Sequence, residues 1–280
     1  MRHHQRGIWR RFDSRFDTHV FWSSLIGLWL AVMPGLAASH AFWLVPFGAK
    51  PLVGERVALD LRIGPRWPGE STVRLEGLVK SFTVQDALGE RVVPGRLGAA
   101  PVGHFTARAP GAALVLLQTQ PSLIRLSGAE FQRYLHEEDL TAALKFRADM
   151  RVENASTREE FVRFAKTLVL VDGNSSGFNR VAQLAFELVP LTDPARYKTG
   201  DPFQVQLLRD GKAVSAIRVA ALSKQQPDHI VVAHTDTNGK ASLPLPTGGA
   251  WTFYAVAIAP STHAAADWQS VWASLSFELN

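Results

Sequence analysis

The sequence predicts a mainly β protein made of two antiparallel β-sandwiches, immunoglobulin-like or carboxypeptidase-regulatory-like, the first carrying short inserted helices. Three observations carry this expectation. Beyond residue 40 most segments alternate apolar and polar residues, Gly and Pro clusters separate them at short intervals, and only two stretches adopt a helical spacing instead. At 280 residues and 46% hydrophobic content, the chain has material for about two ordinary domains.

The first element is a leader. Residues 1–39 combine a basic start, an apolar stretch over residues 20–37 and small residues at its end, which is the pattern of a secretory signal peptide. Cleavage after Ser39 is the favoured position, and cuts after Ala37 or Ala41 also fit. The alternative is an uncleaved membrane anchor, which Pro34 and Gly35 weaken. The expected location is therefore the periplasm.

Strands follow. Val57, Leu59, Leu61 and Ile63 alternate with Ala58, Asp60 and Arg62, and further strands are expected at 78–84, 102–107, 112–119 and 122–126. Ser127 and Glu130 then stand at capping-box spacing before Phe131, Tyr134 and Leu135, predicting a helix over 127–140. Ser156 and Glu159 repeat the device, and Phe161, Phe164 and Leu168 at helical spacing predict a second helix that runs on into a strand. Pro190, Pro194 and Gly200 mark a boundary, so the expected domains are residues 40–190 and 191–280. In the second, alternation returns at 203–207, 217–221, 251–255 and 271–279, with hairpin turns expected at Asp210-Gly211 and Asn238-Gly239.

Composition excludes several functions. With no cysteine in the chain, disulfides, thiolate catalysis and zinc knuckles are ruled out. Of the net charge of +5, the leader's five arginines against two aspartates account for more than half, so the remainder is too small to predict nucleic-acid binding. No nucleophile elbow, phosphate loop, dinucleotide fingerprint or zincin helix is present, and no enzyme activity is expected.

Histidine is the remaining chemistry. A cut after Ser39 would make His40 the first residue of the mature chain, where its amine and imidazole can close a chelate ring on nickel, copper, cobalt or zinc. His234, before the TDTNG turn, and His263, in the loop APSTHAAADW, are the candidate partners, each with a surface position as the plainer reading. His136, Glu137 and Glu138 are consecutive on the first helix and read as a solvated face. His104 has no acidic or histidine neighbour in sequence to suggest a site. Asp236 is expected to bond its own turn rather than a cation. Trp272 falls out of phase with Val271 and Ala273, as an aromatic covering the other side of a sandwich would.

The blocks HAFWLVP, FQRYLHEEDL, FVRFAKTLVLV, LAFELVPLTDP, DGKAVSAIRVAAL, TDTNGKASLPLPTGGAWTF and DWQSVWASLSFEL, in that order from His40 to Leu279, resemble a family of exported bacterial proteins carried as a domain of unknown function. Some of its members are linked to nickel or cobalt uptake as periplasmic accessory components. The chain departs from the family pattern at Ala41 and Ala257, where members carry an aspartate and a histidine. The resemblance implies an exported binding protein that handles nickel or cobalt, with a membrane metal transporter as partner. Two other classes stay open at this stage: a non-catalytic structural or interaction module, and a copper oxidase with an amino-terminal histidine brace.

Overall fold

Alternating segments from both ends of the chain meet in one shared sheet. The computed structural model describes residues 40–280, and the expected leader over 1–39 lies outside them. The first half contains β1 (Ala41–Phe47), β2 (Arg56–Gly64), β3 (Glu70–Thr72), β4 (Val79–Asp86), β5 (Gly89–Val92), β6 (Gly103–Thr106), β7 (Gly111–Thr119) and β8 (Ser122–Leu126). Two helices, α1 (Gly128–Glu137) and α2 (Thr141–Asp149), precede β9 (Thr157–Val171) and β10 (Phe186–Pro190). The second half adds β11 (Pro202–Arg209), β12 (Lys212–Ala213), β13 (Arg218–Ser223), β14 (Ile230–His234), β15 (Lys240–Pro244), β16 (Gly249–Pro260) and β17 (Trp268–Leu279).

The large sheet runs β14-β13-β16-β17-β9-β7-β4-β5, with β8 also paired to β9. A four-stranded sheet of β1, β2, β3 and β6 covers one of its faces, and one of β10, β11, β12 and β15 covers the other. Alternation on β7 shows how one strand serves both layers. Ala113, Val115 and Leu117 join the core beneath β1 and β2, whereas Ala112, Leu114 and Leu116 join the core against β10 and β11.

The expectation of a mainly β, sandwich-type chain holds. Strand pairing crosses position 190/191: β10 pairs with β11, and β17 lies parallel to β9 from Trp268 opposite Glu159 to Ser276 opposite Thr167. The two sandwiches thus share their main sheet across that position.

Helix α1 forms where expected, its capping box intact: Ser127 Oγ accepts from the Glu130 N–H at 3.2 Å, and the Ser127 N–H donates to Glu130 at 2.8 Å. The second expected helix is instead β9, and α2 lies earlier. The reason is burial on both sides. Thr157, Glu159, Phe161 and Arg163 share one face of β9, Phe164, Lys166 and Leu168 share the other, and neighbours on both edges complete the ladder. A central strand reads as a continuous apolar run, which imitates helical spacing over short windows.

The Asp210-Gly211 turn links β11 to β12 with both residues at positive φ. The Asn238-Gly239 turn closes no hairpin: β14 belongs to the large sheet and β15 pairs with β11, so the turn crosses between layers. Asp236 Oδ1 accepts the N–H groups of Asn238 and Lys240, each at 2.8 Å, as its turn chemistry predicts.

Candidate functional site

His40 directly precedes β1, and β1 is fixed to the large sheet by side chains as well as by packing. Ser274 Oγ donates to the Phe42 carbonyl at 2.7 Å, and Ser276 Oγ donates to the Leu44 carbonyl. His40 is partly buried.

Strand β9, helix α1 and strand β17 share a polar network that the sequence does not announce. Glu159 of β9 is fully buried and accepts from the Tyr134 hydroxyl of α1 at 3.3 Å and from the Ser270 hydroxyl of β17. Trp272 Nε1 donates to the same Ser270 oxygen at 3.2 Å. Trp272 is sandwiched between Tyr134 and Tyr254, with ring centroids 5.8 and 6.4 Å apart and near-parallel planes. The Arg163 guanidinium, also buried, lies 4.5 Å from the centre of the Phe161 ring and 5.5 Å from that of Phe42.

A second carboxylate closes the other end of α1. Glu138 accepts from Arg218 Nη1 at 2.9 Å and from the Tyr254 hydroxyl at 3.4 Å. It is buried, which corrects the expectation of a solvated face at that residue, while His136 and Glu137 are exposed as expected. The C-cap position turns Glu138 inward onto β13 and β16.

Burial sets the proton affinities. Desolvation raises Glu138 and Glu159 to about 7 each, against the opposing pull of Arg218 on the first and of the Ser270 and Tyr134 hydroxyls on the second. It lowers Arg163 to about 10 and raises Tyr254 to about 12.

The two other candidate ligands are elsewhere. His234 Nε2 lies 2.7 Å from Asp139 Oδ2 at the β14 edge, and His263 Nδ1 lies 3.1 Å from Glu160 Oε2 beside β9. Strands β13 and β16 stand between β14 and β17, and at about 4.8 Å per strand the two imidazoles cannot share one ion. Among the described residues no group of three or more His, Asp or Glu side chains is arranged to hold a metal. Trp268 and Trp272 are buried against α1 and α2, so they offer no open platform for a sugar.

The model of a domain of unknown function, DUF4198, matches residues 37–259. No curated protein matches the chain. Among solved structures, a similarity exists to dimeric latent PorU from Porphyromonas gingivalis, at 11% identity and a TM-score of 0.16, covering 84% of this chain and 20% of PorU. The chain thus spans about one fifth of that protein, and a similarity this low carries no argument about fold or activity.

Proposed function

The chain belongs to the DUF4198 family, a domain of unknown function, and we propose that it is an exported, non-catalytic protein that handles nickel or cobalt through His40. The supporting observation is the position of that residue. His40 immediately precedes a strand whose second and fourth carbonyls are tied to Ser274 and Ser276. A cut after Ser39 would leave an amine and an imidazole on one residue, held at the sheet rather than on a loose tail. Such a pair closes a chelate ring, and little ordering entropy remains to oppose binding. The natural recipient is a membrane metal transporter.

Amino-terminal sequencing of the periplasmic protein should return His40 first. Calorimetric titration with nickel and cobalt should then show one strong site. Replacing His40 with Ala, or adding one residue before it, should weaken that site at least tenfold, while His136→Ala leaves it unchanged. Affinity should also fall in acid, where protons compete for both nitrogens. Equal affinity in all four proteins would overturn the reading.

A further inference from the structure

The outer face of the β1-β2-β3-β6 sheet carries a second feature, remote from the chemistry of His40. Val57, Leu59 and Leu61 of β2 point into the core, so Arg56 and Ala58 point outward. Antiparallel pairing sets Arg56 opposite Thr106 and Ala58 opposite His104. Arg56 and His104 are therefore diagonal neighbours on one face, within reach of a single small ligand.

A loop closes the third side. Residues 93–102 fold back over β6, and they fit so closely that a Cβ on Gly95 would fall 2.1 Å from the Val102 carbonyl oxygen. Arg74 holds the loop from behind, its Nη1 donating to the Val102 carbonyl at 3.3 Å and the Val93 carbonyl at 3.5 Å. This places Arg96 on the rim. Together Arg56, Arg96 and His104 line an open cleft of about 720 Å³ whose remaining wall is alanine, proline and glycine.

The cleft is cationic and no carboxylate within it balances the charge. Arg62, Arg91, Arg158 and Arg218 each face a carboxylate within 3 Å. No acidic residue lines this cleft, and neither Arg56 nor Arg96 makes an ion pair among the described residues. Asp60, the next outward position on β2, is already engaged by Arg62 and by Ser71.

We propose that this cleft binds a phosphoryl group. Two guanidinium forks and an imidazole, carried by two strands and a loop, offer enough donors for the three terminal oxygens of a phosphate monoester, more than the two of a carboxylate need. The small apolar wall leaves room for the organic body of the ester.

Calorimetric titration of the mature protein with inorganic phosphate and with glycerol phosphate, at low ionic strength and without added nickel or cobalt, tests this independently of His40. Both should bind, the affinity should drop at least tenfold in the Arg56→Ala/Arg96→Ala double variant, and Arg133→Ala on α1 should bind as the parent does. Acetate should give no comparable binding. Both arginines of the double variant are exposed, and a matching thermal melt confirms that the fold is kept. Co-sedimentation with phosphatidylglycerol vesicles but not phosphatidylcholine vesicles, lost in the double variant, would identify a lipid headgroup as the source. Retention in solution would identify a soluble ester. Absence of phosphate binding, or equal binding by the double variant, would overturn the proposal.

Discussion

Strand β9 presents two differently built faces, and the contrast separates what holds this molecule from what can respond in it. The even-numbered face meets β10 and β11 through Phe164, Leu168 and Leu170, within a core where Phe203 stacks on Phe277 at 4.7 Å. Its buried ion pair is Lys166 with Glu187, 2.6 Å apart and both about 1% exposed. Glu187 also accepts the Ala182 N–H at both carboxylate oxygens, at 2.8 and 3.1 Å. That charge is closed on itself. The odd-numbered face meets α1 and spreads its charge over Glu159, Arg163 and hydroxyl and aromatic partners, with carboxylates poised near neutrality.

The sharpest break of this contrast is to open the closed pair. Replacing Lys166 with Met strands Glu187 in a dry core and should cost about 3–5 kcal/mol, because a buried charge without its partner loses far more than the pair gains. The Lys166→Met/Glu187→Leu double variant should recover most of that loss. Urea unfolding of the three proteins measures it. A single variant as stable as the parent would mean that the pair is reached by water.

The helix side should respond to pH instead. A carboxyl in the unfolded chain releases its proton near 4.5, whereas Glu159 and Glu138 in the folded protein hold theirs to about 7. Their folded values are raised, so the stability they confer is fully present below about pH 4.5 and is lost as pH rises through 7. The full change is up to roughly 3 kcal/mol for Glu159 alone. Native-state hydrogen exchange should therefore show α1 better protected at pH 5.5 than at pH 8, after correction for intrinsic exchange. Glu159→Gln keeps the hydrogen-bonding shape and should remove about half of the trend, leaving the share of Glu138. Persistence of the full trend in that variant would assign it to other groups.

Much of the architecture was legible as period-two alternation, since a half-buried strand displays its burial directly in sequence. The strands around residues 57–63, 112–119, 251–255 and 271–279 appeared as expected, and Trp272 lies on the face opposite Ala273, as its phase implied. Strand β9 misled because burial on both faces removes alternation, and Ser156 with Glu159 imitated a cap that tertiary packing overrides. Glu138 looked like a surface acid and Glu159 like a capping residue, because their partners Arg218, Tyr254 and Ser270 are 80 or more residues away. His104 gave no signal for the same reason: Arg56 reaches it through strand pairing and Arg96 through a returning loop. Of the three metal candidates, His234 and His263 proved to be partners of Asp139 and Glu160.

The smallest predicted effect tests whether the two faces can be loosened separately. The Ser127 hydroxyl satisfies one otherwise unpaired N–H of the first turn of α1, while the hydroxyl and backbone N–H of Ser127 hold Glu130 ionised below the usual carboxylate range. Ser127→Ala removes the acceptor without touching the core, and should cost about 1 kcal/mol. Because α1 rests on the large sheet mainly through Phe131, Tyr134 and Leu135, fraying of its start should speed amide exchange in α1 and leave β10 and β11 unaffected. A rise confined to 128–137 would make the helix side a separately yielding layer. An equal rise in β10 and β11 would show that the shared strand β9 transmits the change, and that its two faces unfold as one unit.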